Sequence, residues 1–270
     1  MIEIQNGFPF VRFPAFQKAG GVVAGVASRK GGVSASPFDS LNMSFSTGDD
    51  PDAVRENRRR FLSLLRIPAE DIISCHQVHG TNIVPVGAAD KGRGALDRES
   101  AVPECDGLVT NERHVPITMN FADCTPLLFY DPVEDVIGIS HGGWRGTAGD
   151  IAGKTVALMG KLYGSRPEQI LAGIGPAIGA CSFEVGEDVI DAFRPLFGDD
   201  ELRALYTEKG NGKFLFNLPG ANQKLLLRAG LLTSHIDDCG LCTYCHDDLF
   251  FSYRKSGGKT GRHMAAMMLE

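Results

Sequence analysis

The sequence predicts a single-domain protein of mixed strands and helices, and three observations carry that reading. Apolar, β-prone runs recur along the chain: Val22–Ala27, Ile117–Tyr130, Val136–Ser140 and Ile170–Ile174. Other segments repeat their apolar residues at the spacing of one helix face. No internal repeat, low-complexity stretch or linker interrupts residues 1–270, so one domain with one sizeable core is expected.

Composition narrows the function classes. The chain is 43% hydrophobic and 22% charged, ordinary for a globular protein. Its net charge of −6 argues against a general binder of nucleic acid or of anionic membranes. No run of about 18 apolar residues is present, so no membrane-spanning helix is expected. The N-terminal residues lack the basic-then-apolar pattern of an export signal. With seven cysteines, an odd number, this points to reduced thiols in a cytoplasmic protein, with metal binding or catalysis as their uses.

Taken in order, Val22–Ala27 reads as a strand that runs into Ser28-Arg29-Lys30-Gly31-Gly32. Two readings are open there: an anion pocket lined by backbone N–H groups and Arg29, or a basic hairpin turn. Asp49-Asp50-Pro51 marks the start of a helix reaching about Arg66, with Val54, Phe61, Leu62 and Leu65 on its apolar face. Arg58, Arg59 and Arg60 fall mainly on the solvated side, with room for one of them to turn inward. His76 and His79 follow within an extended stretch, where residues three apart face opposite sides. Only one of them is then expected at any one site, and His79, beside Gly80, is preferred. Residues 88–103 read as a polar loop, and Cys105-Asp106-Gly107 as a turn into a strand.

The apolar run Ile117–Tyr130 is broken by Asp123-Cys124. A polar pair inside a β-rich run costs desolvation unless something uses it; a buried inert cysteine is the competing reading. Val136–Ser140 ends in His141-Gly142-Gly143. Helical spacing then begins at Arg145 and continues through Ala148, Ile151, Ala152, Thr155, Val156 and Met159. His141 thus stands where a strand passes into a helix, a place where sheets expose functional side chains. The strand Ile170–Ile174 leads into Gly175-Pro176, and further helices are expected near 186–193 and 220–229.

Cys242-x-x-Cys245-His246 fits the covalent haem attachment pattern, but that chemistry takes place outside the bacterial cytoplasm. With Cys239, these residues read as reduced, partly buried thiols. A structural zinc is the alternative, and zinc knuckles draw ligands from two separated turns. Gly258-Lys259-Thr260-Gly261-Arg262 lacks the upstream glycine of a phosphate loop.

His79, Cys124 and His141 each stand near the end of a β-like run. Two imidazoles and a thiolate with an open fourth position match catalytic zinc. Copper also accepts this ligand set. The seven histidines, with no His-x-His pair, are too few for a multicopper cluster. A metal-free Cys–His nucleophile pair is a further reading. Spacing does not choose among them.

Nine stretches together settle a resemblance: SRKGGVS (28–34), LNMS (41–44), VRENRRR (54–60), HQVHG (76–80), ADCTPLLFYDP (122–132), HGGWRG (141–146), GIGPAIG (173–179), FEVG (183–186) and FFSYRKSGGKTGRHMA (250–265). In this order, over nearly the whole chain, they resemble the laccase-domain, polyphenol-oxidase-like family, whose members are regarded as purine nucleoside phosphorylases. The resemblance implies an α+β fold, with mixed β-sheets packed as a sandwich-like core decorated with helices, in one catalytic domain over residues 1–270. It implies zinc held by His79, Cys124 and His141, with copper the older description. It also implies phosphorolysis of adenosine, inosine and 5′-methylthioadenosine, with adenosine deamination as a side activity.

The expected partners are a nucleoside and phosphate, with no nucleic acid and no membrane, in a monomer or homodimer. On this reading Arg29 and Arg145 hold phosphate and Asp123 relays a proton. The usual zinc-deaminase signature is absent, because Gly80-Thr81 follows His79. The alternative activities are a metal-free Cys124–His hydrolase acting on a cell-wall precursor, and a copper polyphenol oxidase. The sequence departs from the family in Gly142, where Ala is usual, and in Lys255, where Arg is usual.

Overall fold

A computed structural model describes residues 1–270. Two large sheets lie face to face, and helices cover both outer sides. The first sheet has five strands in the order Ile2–Gln5, Phe8–Val11, Val22–Ala27, His263–Leu269, Ile117–Phe121, all antiparallel. The second has six: Ile236–Asp238, Leu171–Ile174, Thr125–Asp131, Val136–Gly142, Gly107–Thr110 and Ile83–Pro85. Its inner pairs are antiparallel and its two edge strands run parallel to their neighbours. This is the expected sandwich-like α+β core. A small three-stranded sheet, Glu184–Gly186, Lys213–Phe216 and Tyr206–Gly210, stands apart.

The period-2 alternation of strand side chains sorts residues into layers. In His263–Leu269, Ala265, Met267 and Leu269 face the second sheet, while Met264, Ala266 and Met268 face the helix Pro51–Leu64. In Thr125–Asp131, Leu128 and Tyr130 face the first sheet, while Leu127 and Phe129 face the helices Ile151–Tyr163 and Leu218–Arg228. Strands buried on both faces read as continuous apolar runs, which is why Thr125–Asp131 was legible without alternation, whereas the strand His263–Leu269 was not expected.

The helix Pro51–Leu64 starts where expected. Asp50 caps it by accepting from the N–H of Asp52, and Pro51 occupies its first turn. Of the three arginines, Arg58 is the one that leaves the solvated side. It turns inward and is buried, donating to the carbonyls of Met43, Gly94 and Ala95. The helix expected to begin at Arg145 is two: a short turn Trp144–Ala148, then Ile151–Tyr163. Asp150 separates them in a left-handed conformation, its side chain accepting from the N–H of Gly153. No helix is long and apolar enough to cross a membrane.

Candidate metal centre and cavity

His79, Cys124 and His141 meet at one end of the sandwich. One ligand atom from each lies within 4.8 Å of the other two. The two imidazole rings meet edge to face, their centroids 4.7 Å apart. His141 comes from the end of Val136–Gly142, and Cys124 sits one residue before Thr125–Asp131. These strands are hydrogen-bonded neighbours with Pro126 opposite His141, so adjacent strand ends bring thiol and imidazole together.

Asp106 organises the histidines and went unnoticed in the sequence. It is fully buried. Its carboxylate accepts from Nδ1 of His141 at 2.8 Å and from the backbone N–H groups of Val78, His79 and Gly80. The backbone N–H of His141 donates to the Asp106 carbonyl. The Asp106 bond puts the proton on Nδ1 and leaves Nε2 free to ligate, the usual support of a metal-bound histidine. His79 has φ 61°, a left-handed conformation uncommon for a residue with a side chain, and the three N–H bonds to Asp106 hold it there. The signal for Asp106 was present. It is a lone acid entering the all-buried strand Gly107–Thr110, the same argument that singled out Asp123.

The electrostatics favour a thiolate. Burial alone would push the Cys124 thiol up, but His141 and then His79 bring it down to about 6. Burial works against a charged His141, yet Cys124 and Asp106 raise it to about 9. Burial likewise opposes the Asp106 carboxylate, which His141 and the Gly80 N–H nevertheless hold below its ordinary range. Gly143 keeps the centre open: a Cβ there would lie 3.1 Å from the Cys124 sulfur and 3.3 Å from the His79 ring. The donor set, its spacing and its carboxylate support fit a cation of the zinc class.

A cavity of about 530 Å³ opens over this centre, a size suited to a small ligand. Phe45, Trp144, Phe183 and Tyr253 give it aromatic surface. Arg58, Arg98, Arg254 and Arg262 make it cationic. His76 also lines it, its Nε2 2.6 Å from the Arg98 carbonyl. The expectation that only one of His76 and His79 faces a site is thus corrected. Residues 76–79 form no strand, so strand alternation does not apply there, although His79 alone joins the donor cluster.

Three expected roles meet a different geometry. Arg29 does not line the cavity: its guanidinium donates to the Asp39 carbonyl and carboxylate and to the Asp247 carbonyl. The N–H groups of its turn are used internally, those of Lys30, Gly32 and Val33 going to Ser28, Ser40 and Asn57, and no hairpin forms either, because Val22–Ala27 pairs with Phe8–Val11 and His263–Leu269 and not with a strand after this turn. Arg145 is exposed and stacks on the Trp144 ring at 4.2 Å, while Trp144 lines the cavity and Arg145 does not. Asp123 does border the cavity. However, its Oδ1 accepts from the Thr243 hydroxyl and its Oδ2 from the Arg254 N–H, both at 2.6 Å. It ties the C-terminal segment down, and neither oxygen is left without a partner for a relay.

Residues 23–270 match the family described as "Multi-copper polyphenol oxidoreductase laccase". The chain belongs to this family. Among its curated relatives, purine nucleoside phosphorylase YlmD of Geobacillus stearothermophilus is 43% identical over 245 residues, covering 91% of this chain and 89% of the relative. Adenosine deaminase RL5, from an unknown prokaryotic organism, is 30% identical and covers 83% and 85% of the two chains. The crystal structure of YlmD from Geobacillus stearothermophilus superposes with a TM-score of 0.94 at 40% identity, covering 100% and 98%. Relatives in this laccase-like family are thus named as enzymes of small molecules. The family description mentions several coppers, but the histidines here supply only one His-containing donor cluster.

Proposed function

We propose that the chain is a purine nucleoside phosphorylase acting on adenosine and inosine, and on 5′-methylthioadenosine, with adenosine deamination as a side activity. One observation carries this reading: a cavity of nucleoside size places a His–Cys–His donor set on its floor and four guanidinium groups in its wall. The names of relatives support it.

Phosphorolysis brings a phosphate oxygen to C1′ of the ribose as the C1′–N9 bond breaks. The products are ribose 1-phosphate and the purine, which takes up a proton. The reaction needs an anion gathered beside the sugar and a surface for the base. Arg262 and Arg254 are our choice for the phosphate, in place of Arg29 and Arg145. Arg262 stands close enough to Cys124 to feel its charge, and both line the cavity. Phe183 and Tyr253 offer the purine aromatic contact. His79, Cys124 and His141 would hold zinc, which supplies a positive charge that polarises a substrate oxygen or lowers the pKa of bound water. Asp106 fixes the tautomer of His141.

The thiolate–imidazolium character of Cys124 and His141 also favours a second reading, a metal-free hydrolase with Cys124 as nucleophile. One assay separates the two: hypoxanthine release from inosine, with and without phosphate and with and without chelator. The phosphorylase reading expects release that requires phosphate and is abolished by chelator. Release that ignores both would overturn it.

A further inference from the structure

A second group of sulfur donors lies outside the cavity. The turn Pro176–Gly179 and the segment Cys239–His246 run side by side. Ala177 forms a parallel bridge with Cys242, its N–H donates to the Leu241 carbonyl, and the Thr243 N–H donates back to the Ala177 carbonyl. This pairing carries Cys181 to the Cys242-x-x-Cys245 turn. The three Sγ atoms all lie within 4.8 Å of one another, and those of Cys181 and Cys245 are 3.3 Å apart. The second turn that a zinc knuckle needs is therefore supplied, 61 residues upstream of Cys242, by a cysteine the C-terminal motif does not contain.

Two further observations mark the group as built for a ligand. The Gly179 N–H donates to the Cys242 sulfur at 3.2 Å. An N–H aimed at sulfur stabilises a thiolate. Glycine at 179 also leaves room: a Cβ there would meet the Cys242 Cβ at 3.3 Å and the Cys181 sulfur at 3.5 Å. Cys181 and Cys245 are exposed, so an ion can enter.

We propose that Cys181, Cys242 and Cys245 bind one thiophilic d10 cation, Zn²⁺ or Cu⁺, as a site separate from the His–Cys–His centre. Each cysteine releases its proton to solvent as its sulfur–metal bond forms. Three thiolates are soft donors that select such ions over Mg²⁺ or Ca²⁺. The ion would fasten the segment that borders the cavity. Thr243, between two of its ligands, donates to Asp123, and so does the N–H of Arg254. Tyr253 and Arg254 form part of the cavity wall.

The test compares the metal content of the full chain, isolated under anaerobic conditions, with that of Cys245→Ser. The expected result is one fewer metal equivalent in the variant, whose changed side chain is exposed and leaves the core intact. A second measurement uses His79→Ala/His141→Ala, which removes two of the three donors at the first centre. This chain should still take up one equivalent of Co²⁺ with a thiolate-to-cobalt charge-transfer band. Adding Cys181→Ser should abolish that band. Displacement of cobalt by Zn²⁺ alone or by Cu⁺ alone identifies the ion. Equal metal content in wild type and Cys245→Ser, or a disulfide joining Cys181 and Cys245 in the anaerobically isolated chain, would overturn the proposal.

Discussion

The two donor clusters differ in what holds them. Cys124 and His141 sit beside or at strand ends and His79 in the loop before Ile83–Pro85, all over a fully buried carboxylate that takes three backbone N–H groups and a ring N–H. Cys181, Cys242 and Cys245 sit on two turns joined by a single bridge, with one N–H aimed at one sulfur. The first arrangement exists before any ion arrives and leaves a cavity over it. The second is kept together by one bridge with two backbone hydrogen bonds and by the N–H bond to the Cys242 sulfur. Preorganised donors facing an open space suit chemistry, whereas donors on turns suit a fastening.

The largest effect should separate the two clusters outright. Cys124→Ser removes a donor from the first centre, and turnover of inosine with phosphate should fall by more than the ~100-fold that loss of a supporting contact costs. Cys245→Ser should leave most of that turnover in place. Equal losses in the two variants would erase the distinction. Next comes Asp106→Asn. It keeps the shape but weakens the partner of His141 Nδ1 and of the three N–H groups. A loss of about 10–100-fold in metal affinity is expected, read by competition with a chelator of known strength. An unchanged affinity would mean that the strand ends alone set the geometry.

The same difference explains what could be read from the sequence. The first centre was legible because its donors interrupt apolar runs, where a polar residue must have a use: Asp123-Cys124 breaks a strand run and His141 ends one. Some strands of each sheet were legible through the same runs, whereas the face-to-face packing was an expectation of the family resemblance alone. Asp106 was passed over because its neighbours Cys105 and Gly107 read as a turn, and nothing local reveals a partner 35 residues away. Cys181 was invisible for a like reason. Its partners lie more than 60 residues on, and the pairing depends on which edge the strand Ile236–Asp238 joins. Arg58 turned inward because it finds three carbonyls there, a tertiary fact that helical spacing does not encode.

Beneath the first centre lies a residue whose burial adds acid sensitivity. His263 is fully buried against Phe121 and Phe250, and burial, then Arg262, push its pKa from 6.5 down to about 3. Between those two values the unfolded chain takes up a proton that the folded chain refuses. Stability is therefore present above about pH 6.5 and lost as pH falls toward about 3, by at most about 1.4 kcal/mol per pH unit. Urea midpoints at about pH 7 and about pH 5 should differ less in His263→Leu than in wild type. Parallel loss in both would place the acid sensitivity elsewhere.

The smallest effect concerns the cations. Two arginines near glycine-rich turns, Arg29 and Arg262, are the alternatives for holding phosphate on the phosphorylase reading. Arg29 spends its guanidinium on Asp39 and on the Asp247 carbonyl, away from the cavity. Arg262 also donates to two carbonyls, those of Thr260 and Gly261, but through Nη1 alone, and it lines the cavity near Cys124. A residue that only braces a surface turn contributes about 1 kcal/mol to stability, because its ion pair is partly exposed. It leaves substrate binding alone. Arg29→Ala should therefore lower the melting temperature slightly and change KM for phosphate by less than about twofold, whereas Arg262→Ala should raise that KM strongly. If Arg29→Ala raised KM for phosphate as much as Arg262→Ala, the glycine turn after the first long strand would hold the anion after all, and the cavity wall would not.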